Sequence, residues 1–252
     1  MSITMTGTRP DEQILRCFFR LEEFQMQRLR FERMLHPDHF KWPKKGAPPP
    51  MSETKKIKIE ELGKIGFGEN FFQAMVKGEE LAEDELKELV ERHVLWPWLE
   101  KVRGIGLVMA GKFIAAGGDI RKAETASGFW KGMGLGLEDG KAPRRERGKT
   151  SIPAFPHVTR VGEQIRQQLL MQNPFYHELY LSHKADYRAR YPEKPLMFAH
   201  KHGQRIPQKI FYACLWRKWR EGYGLPAPLP YVFDILKHDS GRIITIEDFW
   251  TE

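Results

Sequence analysis

Apolar residues recur at three- and four-residue intervals along most of this chain, and runs of strict apolar–polar alternation are scarce. That periodicity belongs to helices with one buried face. Residues 11–36 carry the longest such stripe: Ile14, Leu15, Phe18, Phe19, Leu21, Phe24, Met26, Leu29, Phe31 and Leu35. Arg16, Arg20, Arg28, Arg30 and Arg33 alternate along it with Glu22, Glu23 and Glu32. Pro10-Asp11 is a helix start signal. The His36-Pro37 step is a stop, because proline disfavours helical backbone at the residue before it. A helix this apolar either packs on its own chain or pairs with a partner helix, and packing is the commoner outcome. Residues 59–100 also read as helical, with turns expected near Gly66–Gly68 and Lys77-Gly78. Glu79–Arg92 is acidic and periodic, with Leu81, Leu86, Leu89 and Val90 apolar. The best strand signals are Ile152 and Arg242–Ile246. The pattern predicts a mostly α fold.

Residues 99–118, LEKVRGIGLVMAGKFIAAGG, depart from plain periodicity. Gly104 and Gly106 flank Ile105 at a predicted tight turn, and Leu107, Ala110, Ile114 and Ala115 follow at helical spacing. This reads as a helix-hairpin-helix. Glycine permits a sharp turn and close backbone approach. The second helix then presents free N–H groups and its positive dipole end, a ready anion site. A DNA phosphate fits there without any base being read, and Lys112 on the same predicted helix joins Gly104, Ile105 and Gly106 as a candidate DNA contact. An ordinary αα-turn that happens to use glycine has the same spacing.

Five segments follow from these signals. They are an N-terminal helix (1–40), a Pro/Lys-rich linker (41–58), a helical segment (59–98), the hairpin-containing domain (99–220) and a C-terminal extension (221–252). Within the last, Gly222–Pro230 is a proline-rich connector, and Ile246–Trp250 is expected to dock back onto the body.

Charge sharpens the hairpin reading. The 252 residues carry a formal net charge of +8, with a pI of about 9.4, which favours a polyanionic partner. Cys17 and Cys214 form no CxxC pair, as in a reducing compartment without a disulfide framework. No apolar run approaches the roughly 20 residues that span a bilayer. The opening MSITMTGTRPDE has no apolar signal-peptide core. A soluble, cytoplasmic protein without membrane contact is the expectation.

The stretch from about Leu99 to Leu170 resembles the helical C-terminal domain of the IS-110/IS-116/IS-902 insertion-sequence transposases. Gly104-Ile105-Gly106 through Ala115-Ala116 matches that domain's Gly-apolar-Gly hairpin and Ala-rich helix. Gly118-Asp119-Ile120 matches a Gly-Asp-Ile step. Ala126–Lys131 with Met133-Gly134-Leu135 resembles its short helix and Gly-Leu pair. Asp139–Lys149 resembles its Gly- and Arg-rich segment, and Arg160-Val161-Gly162 to Leu169-Leu170 its closing helix. The resemblance covers under a third of the chain and implies DNA handling. Two departures limit what it implies about chemistry. The chain has no strand-rich RuvC-like half with a carboxylate quartet, and Asp139-Gly140 stands where the family has a Ser-Gly step.

The chemistry-bearing residues fall into two basic regions. Arg144, Arg145, Arg147 and Lys149 form a loop opposed only by Glu146, suited to phosphate contacts. His183–Arg220 interleaves cations with Tyr187, Tyr191, Phe198, Phe211, Tyr212, Trp216 and Trp219. Aromatics beside cations can stack unpaired bases. Phe211 and Trp216 more readily enter a core, which leaves Lys201, Arg205 and Lys209 as the better binding residues. His200 and His202, with His157, His183 and Cys214, offer only one short-spaced pair, too few for a zinc site. Asp119, Glu124, Asp139 and Glu163 form no recognisable magnesium pattern. Ser151, Ser127 and Tyr176 are nucleophile candidates by position alone, with Ser151 foremost.

Together these features predict a DNA-binding protein of the transposase-related kind. It contacts phosphates of duplex or of structured, branched nucleic acid and needs no cofactor. An active divergent recombinase using Ser151, with Mg2+, is the enzyme alternative. A helical adaptor of a mobile element, pairing through residues 11–36 with a second copy or another chain, is the interaction alternative. A helix-hairpin-helix DNA glycosylase fits less well, since the Lys and Asp of that family have no clear match.

Overall fold

In a computed structural model, described for residues 9–35, 67–137, 156–228 and 244–250, every regular element is helical. The helices are α1 (Pro10–Leu35), α2 (Phe67–Glu91), α3 (Trp96–Leu99), α4 (Leu107–Gly117), α5 (Ala126–Gly132), α6 (Pro156–Gln172), α7 (Pro174–Arg190) and α8 (Leu196–Gly222). Two 3-10 turns, η1 (Ile120–Lys122) and η2 (Ile246–Phe249), complete the list. The all-α expectation holds. No strand occurs among the described residues, and the one β-bridge joins Val102 to Trp250. Ile152 and residues 242–243 of the strand signals lie outside the described residues, and Ile246 opens η2 instead.

Two compact units, Arg16–Leu86 and Met1–Leu15 with Lys87–Glu252, cut across the five segments drawn from sequence. In the smaller unit α1 and α2 run antiparallel. Cys17 Sγ meets the Ala82 carbonyl at 3.2 Å, and Phe31 packs edge-on against Phe71 at the other end. Burial pushes the Cys17 thiol up to about 11. Helix α2 passes unbroken through Lys77-Gly78, where the sequence predicts a turn. The reason is packing: a Cβ at Gly78 would stand 2.6 Å from the Phe24 ring. Gly78 marks a close approach of two helices and breaks neither.

In the larger unit α8 is the spine. Phe211, Tyr212, Leu215, Trp216 and Trp219 are fully buried along it, as its aromatic spacing predicts for a core face. Phe113 of α4 and Phe129 of α5 meet Tyr212 and Trp219 at centroid distances of 5.2–6.3 Å. Such tilted and edge-on pairs add about 0.5–1.5 kcal/mol each beyond area burial. Arg220 is buried too. It donates to the carbonyls of Ile120 (3.2 Å), Ala123 (3.1 Å) and Pro226 (2.6 Å), which ties η1 and the chain after α8 to the spine.

The C-terminal stretch Ile246–Trp250 docks as expected. Phe249 is buried against Phe175 and Phe211. Asn173 caps α7 through its Oδ1 and holds the Phe249 carbonyl through its Nδ2 at 2.7 Å. Trp250 stacks on Trp98, with the ammonium groups of Lys101 and Lys218 against the pair.

Candidate nucleic-acid interface

The predicted hairpin differs from its expected form at its first arm. Helix α3 is a single four-residue turn, so α4 is preceded by a short turn and the segment Glu100–Gly106, with no full helix in front. Gly104 has φ +96°, a left-handed conformation that suits glycine. A Cβ there would lie 3.2 Å from the Gln168 carbonyl oxygen and 3.3 Å from Gln172 Cβ. This glycine therefore seats the turn on α6. Ile105 is buried and anchors the turn from within, which removes it from the set of residues a ligand can touch. Gly106 is the N-cap of α4, with ordinary extended backbone (φ −89°, ψ 176°). A Cβ added there meets nothing within 4 Å. Of the three turn residues, only Gly106 faces open space. Lys112 lies half-buried on α4.

The second basic region divides along α8. Its C-terminal cations are engaged internally. Arg220 holds carbonyls as above, Arg217 pairs with Glu221 at 2.8 Å, and Lys218 lies between Glu221 and Glu247. Its N-terminal cations have no carboxylate partner among the described residues. Lys201 is exposed, while Arg205 and Lys209 are half-buried, and the three fall on one face at four-residue spacing. Arg205 Nη2 donates to the carbonyls of Leu135 (2.8 Å) and Gly136 (2.7 Å). Lys209 Nζ stands 5.0 Å above the Trp130 ring, whose Nε1 donates to the Lys209 carbonyl. Burial pulls the pKa of both groups below the ordinary value, and the Arg205 charge lowers that of Lys209 further. Neither makes an ion pair among the described residues. Arg205 thus grips the chain just before residues 138–155. The candidates Arg144, Arg145, Arg147, Lys149 and Ser151, and also Asp139, lie there, outside the described residues. No hydrogen bond, ion pair or ring contact among the described residues joins this face to Gly106 or Lys112.

Other candidates have structural employment. Asp119 accepts from Arg9 (2.8 Å) and Arg121 (2.9 Å) and caps η1. Glu163 lies 3.8 Å from Arg166, and Glu124 is exposed. No group of three metal-capable side chains occurs among the described residues. Tyr176 is fully buried, and burial raises its hydroxyl far above the phenol range, so it is no accessible nucleophile. Ser127 is exposed on α5. His200 is bonded to the Tyr180 hydroxyl at 2.8 Å, and His202 lies on Tyr187. Burial pushes the Cys214 thiol up to about 12.

One buried polar group escaped the sequence reading. His93 accepts the Leu95 N–H at Nδ1, which leaves its proton on Nε2 to donate to Asp11 Oδ1 at 2.9 Å. The Tyr223 hydroxyl donates to the same oxygen at 2.6 Å. This closed network pins the start of α1 to the end of α8. Only its three residue types were visible in sequence, because the members are 82 and 130 positions apart.

No helix among the described residues is long and apolar enough to cross a membrane. Comparison of the chain with family models, with curated proteins and with solved structures gives no match.

Proposed function

We propose that this protein binds DNA through its phosphates, with residues 99–220 serving as a transposase-like DNA-handling domain. The observation that carries the reading is the pair Arg205 and Lys209. Two cations one helical turn apart are partly desolvated, repel each other and have no carboxylate partner among the described residues. A phosphate removes that deficit, since a charge-assisted contact in a partly dehydrated setting is stronger than one in open water. The arginines of residues 144–147 follow in the chain from the segment Arg205 holds.

The test is fluorescence anisotropy of a labelled 20-base-pair duplex across a salt series. Lys209→Gln should weaken binding for every sequence and reduce the slope of log affinity against log salt by about one unit. The Arg144→Ala, Arg145→Ala, Arg147→Ala triple variant should reduce it by up to about three units. Unchanged slopes in both would refute a phosphate footprint here. Gly106→Val is a clean probe of the α4 N-terminus, because its backbone and surroundings accept a side chain. A folded Gly106→Val protein with full affinity removes that helix end from the interface. We expect binding without strand cleavage, since the Asp119 oxygens are held by two arginines. A covalent adduct lost in Ser151→Ala would overturn that expectation.

A further inference from the structure

We propose that the end of the α7–α8 hairpin is a docking surface for an unpaired nucleic-acid strand. The proposal rests on the nucleic-acid reading above and adds a second surface with its own ligand form. The two helices touch at Gly203, where a Cβ would stand 2.8 Å from the Tyr180 carbonyl oxygen and 2.9 Å from Lys184 Cβ. Beyond that contact three rings follow one another. His202 lies 4.7 Å from Tyr187 at 35°, and Tyr187 lies 4.9 Å from Tyr191 at 49°. All three are half-buried. Lys194 Nζ stands 4.1 Å over Tyr191. Next in the chain Leu196, Met197 and Phe198 are 58%, 57% and 52% exposed, three consecutive large apolar side chains left in water at the start of a helix. Such a patch on a charged background marks a binding surface.

The charge around it selects the partner. Lys194 lies over Tyr187 and Tyr191, Lys184 lies over Tyr180, and Arg188, Arg190 and Lys201 belong to the same two helices; none of the five makes an ion pair among the described residues, while Asp186 and Glu193 are the only carboxylates between residues 183 and 202. The occupant must bring negative charge and flat apolar faces together. An unpaired strand offers both at every nucleotide: a base to stack on a ring or against Phe198, and a phosphate for a cation. A duplex hides its base faces in its own stack and offers phosphates alone. An acidic peptide has flat faces only where it carries aromatic side chains, not at every residue.

The experiment uses the full chain and three probes: a labelled 20-nucleotide oligo-dT, a duplex of equal length, and vesicles of phosphatidylserine and phosphatidylcholine. The single strand should bind more tightly than the duplex. Tyr191→Ala and Phe198→Ala should each weaken single-strand binding about five-fold or more, with little effect on the duplex, since one stacked base contributes about 1–3 kcal/mol. Lys194→Gln and Lys201→Gln should each flatten the single-strand salt slope by about 0.7. Lys194, Phe198 and Lys201 are exposed and Tyr191 is half-buried, and a melting curve for each variant confirms that it is folded. Equal binding of strand and duplex, unmoved by Tyr191→Ala and Phe198→Ala, overturns this proposal and leaves the phosphate-binding reading standing. Vesicle binding that is lost in Phe198→Ala, without any strand preference, overturns it in favour of a lipid surface. Absence of binding to either nucleic acid overturns both readings together.

Discussion

The α1–α2 pair and the α7–α8 pair are both antiparallel helical hairpins, yet their charges are opposite. Helix α1 carries five arginines against five carboxylates, and α2 two lysines against eight carboxylates, giving −6 for the pair. Helices α7 and α8 carry nine cations against three carboxylates, giving +6. The use of charge differs as well. In the first pair Arg20 meets Glu85, and Arg28 meets both Glu79 and Glu32. Hydrogen bonding to Glu79 raises the Arg28 pKa above its ordinary value. In the second, the cations nearest the hairpin end lie over tyrosines or reach for carbonyls. Of these two pairs, the positive charge is concentrated in α7–α8, where the cations near the hairpin end make no ion pair among the described residues. In the α1–α2 pair charges meet one another across the interface, whereas several cations of the α7–α8 pair make no ion pair among the described residues, and the proposed binding surfaces lie there.

The contrast breaks first, and with the largest effect, at the glycines that let each pair close. Gly203→Ala forces a Cβ against the backbone of α7, which cannot give way, and should cost about 2–3 kcal/mol of stability. Gly78→Ala meets the half-buried Phe24 ring, which can turn aside, and gains helix propensity of about 0.5–1 kcal/mol. Its net cost should fall below about 1 kcal/mol. Urea melts of the two variants decide the order, and equal costs would mean that the two interfaces are alike.

Charge removal should separate the pairs in a second, smaller way. Glu79→Gln should lower stability by about 0.5–1 kcal/mol, less in high salt, and leave DNA affinity unchanged. Lys201→Gln should do the reverse, with stability altered by under about 0.5 kcal/mol and the salt slope of binding reduced. If Glu79→Gln instead changes affinity, the division of labour between the hairpins fails.

The smallest effect is a pH dependence confined to α7–α8. Burial holds both His183 and His202 below the ordinary value of 6.5, and His183 and Arg190 push His202 further down while Asp186 opposes. Above 6.5 both states are neutral and nothing is lost. As pH falls through 6.5 the unfolded chain takes up protons that the folded one resists, so stability should drop until the folded pKa values are passed. Melting curves between pH 7.5 and 5 should show this decline, and His202→Gln should shrink it. A stability that rises on acidification would contradict the assigned burial of these rings.

Much of the architecture was legible because helical periodicity is a local property. The stripe of residues 11–36 anticipated α1 to within a residue at each end, and the spacing of Phe211 and Trp216 marked them as core. The chemistry of the basic segments was less legible. Lysines and arginines look alike in sequence whether they hold a carbonyl, a carboxylate or nothing. Arg220, Arg217 and Lys218 stood in the same basic run as Lys201, and only contacts to Ile120, Ala123, Glu221 and Glu247 distinguish them.

The sequence by itself determined the helical class, the apolar faces, the net positive charge and the glycine-bearing turn before α4. The charge follows from composition alone, and the others depend on residues within a few positions of one another, where backbone propensity and periodicity act. The tertiary structure decided which glycine is buried and which is open, since Gly104 meets α6 some sixty residues away while Gly106 meets nothing. It also decided which cations are engaged, the tie of Asp11 to His93 and Tyr223, and the aromatic end of the α7–α8 hairpin. Those outcomes depend on contacts between distant segments, and a contact is set by where helices cross, which no local spacing encodes.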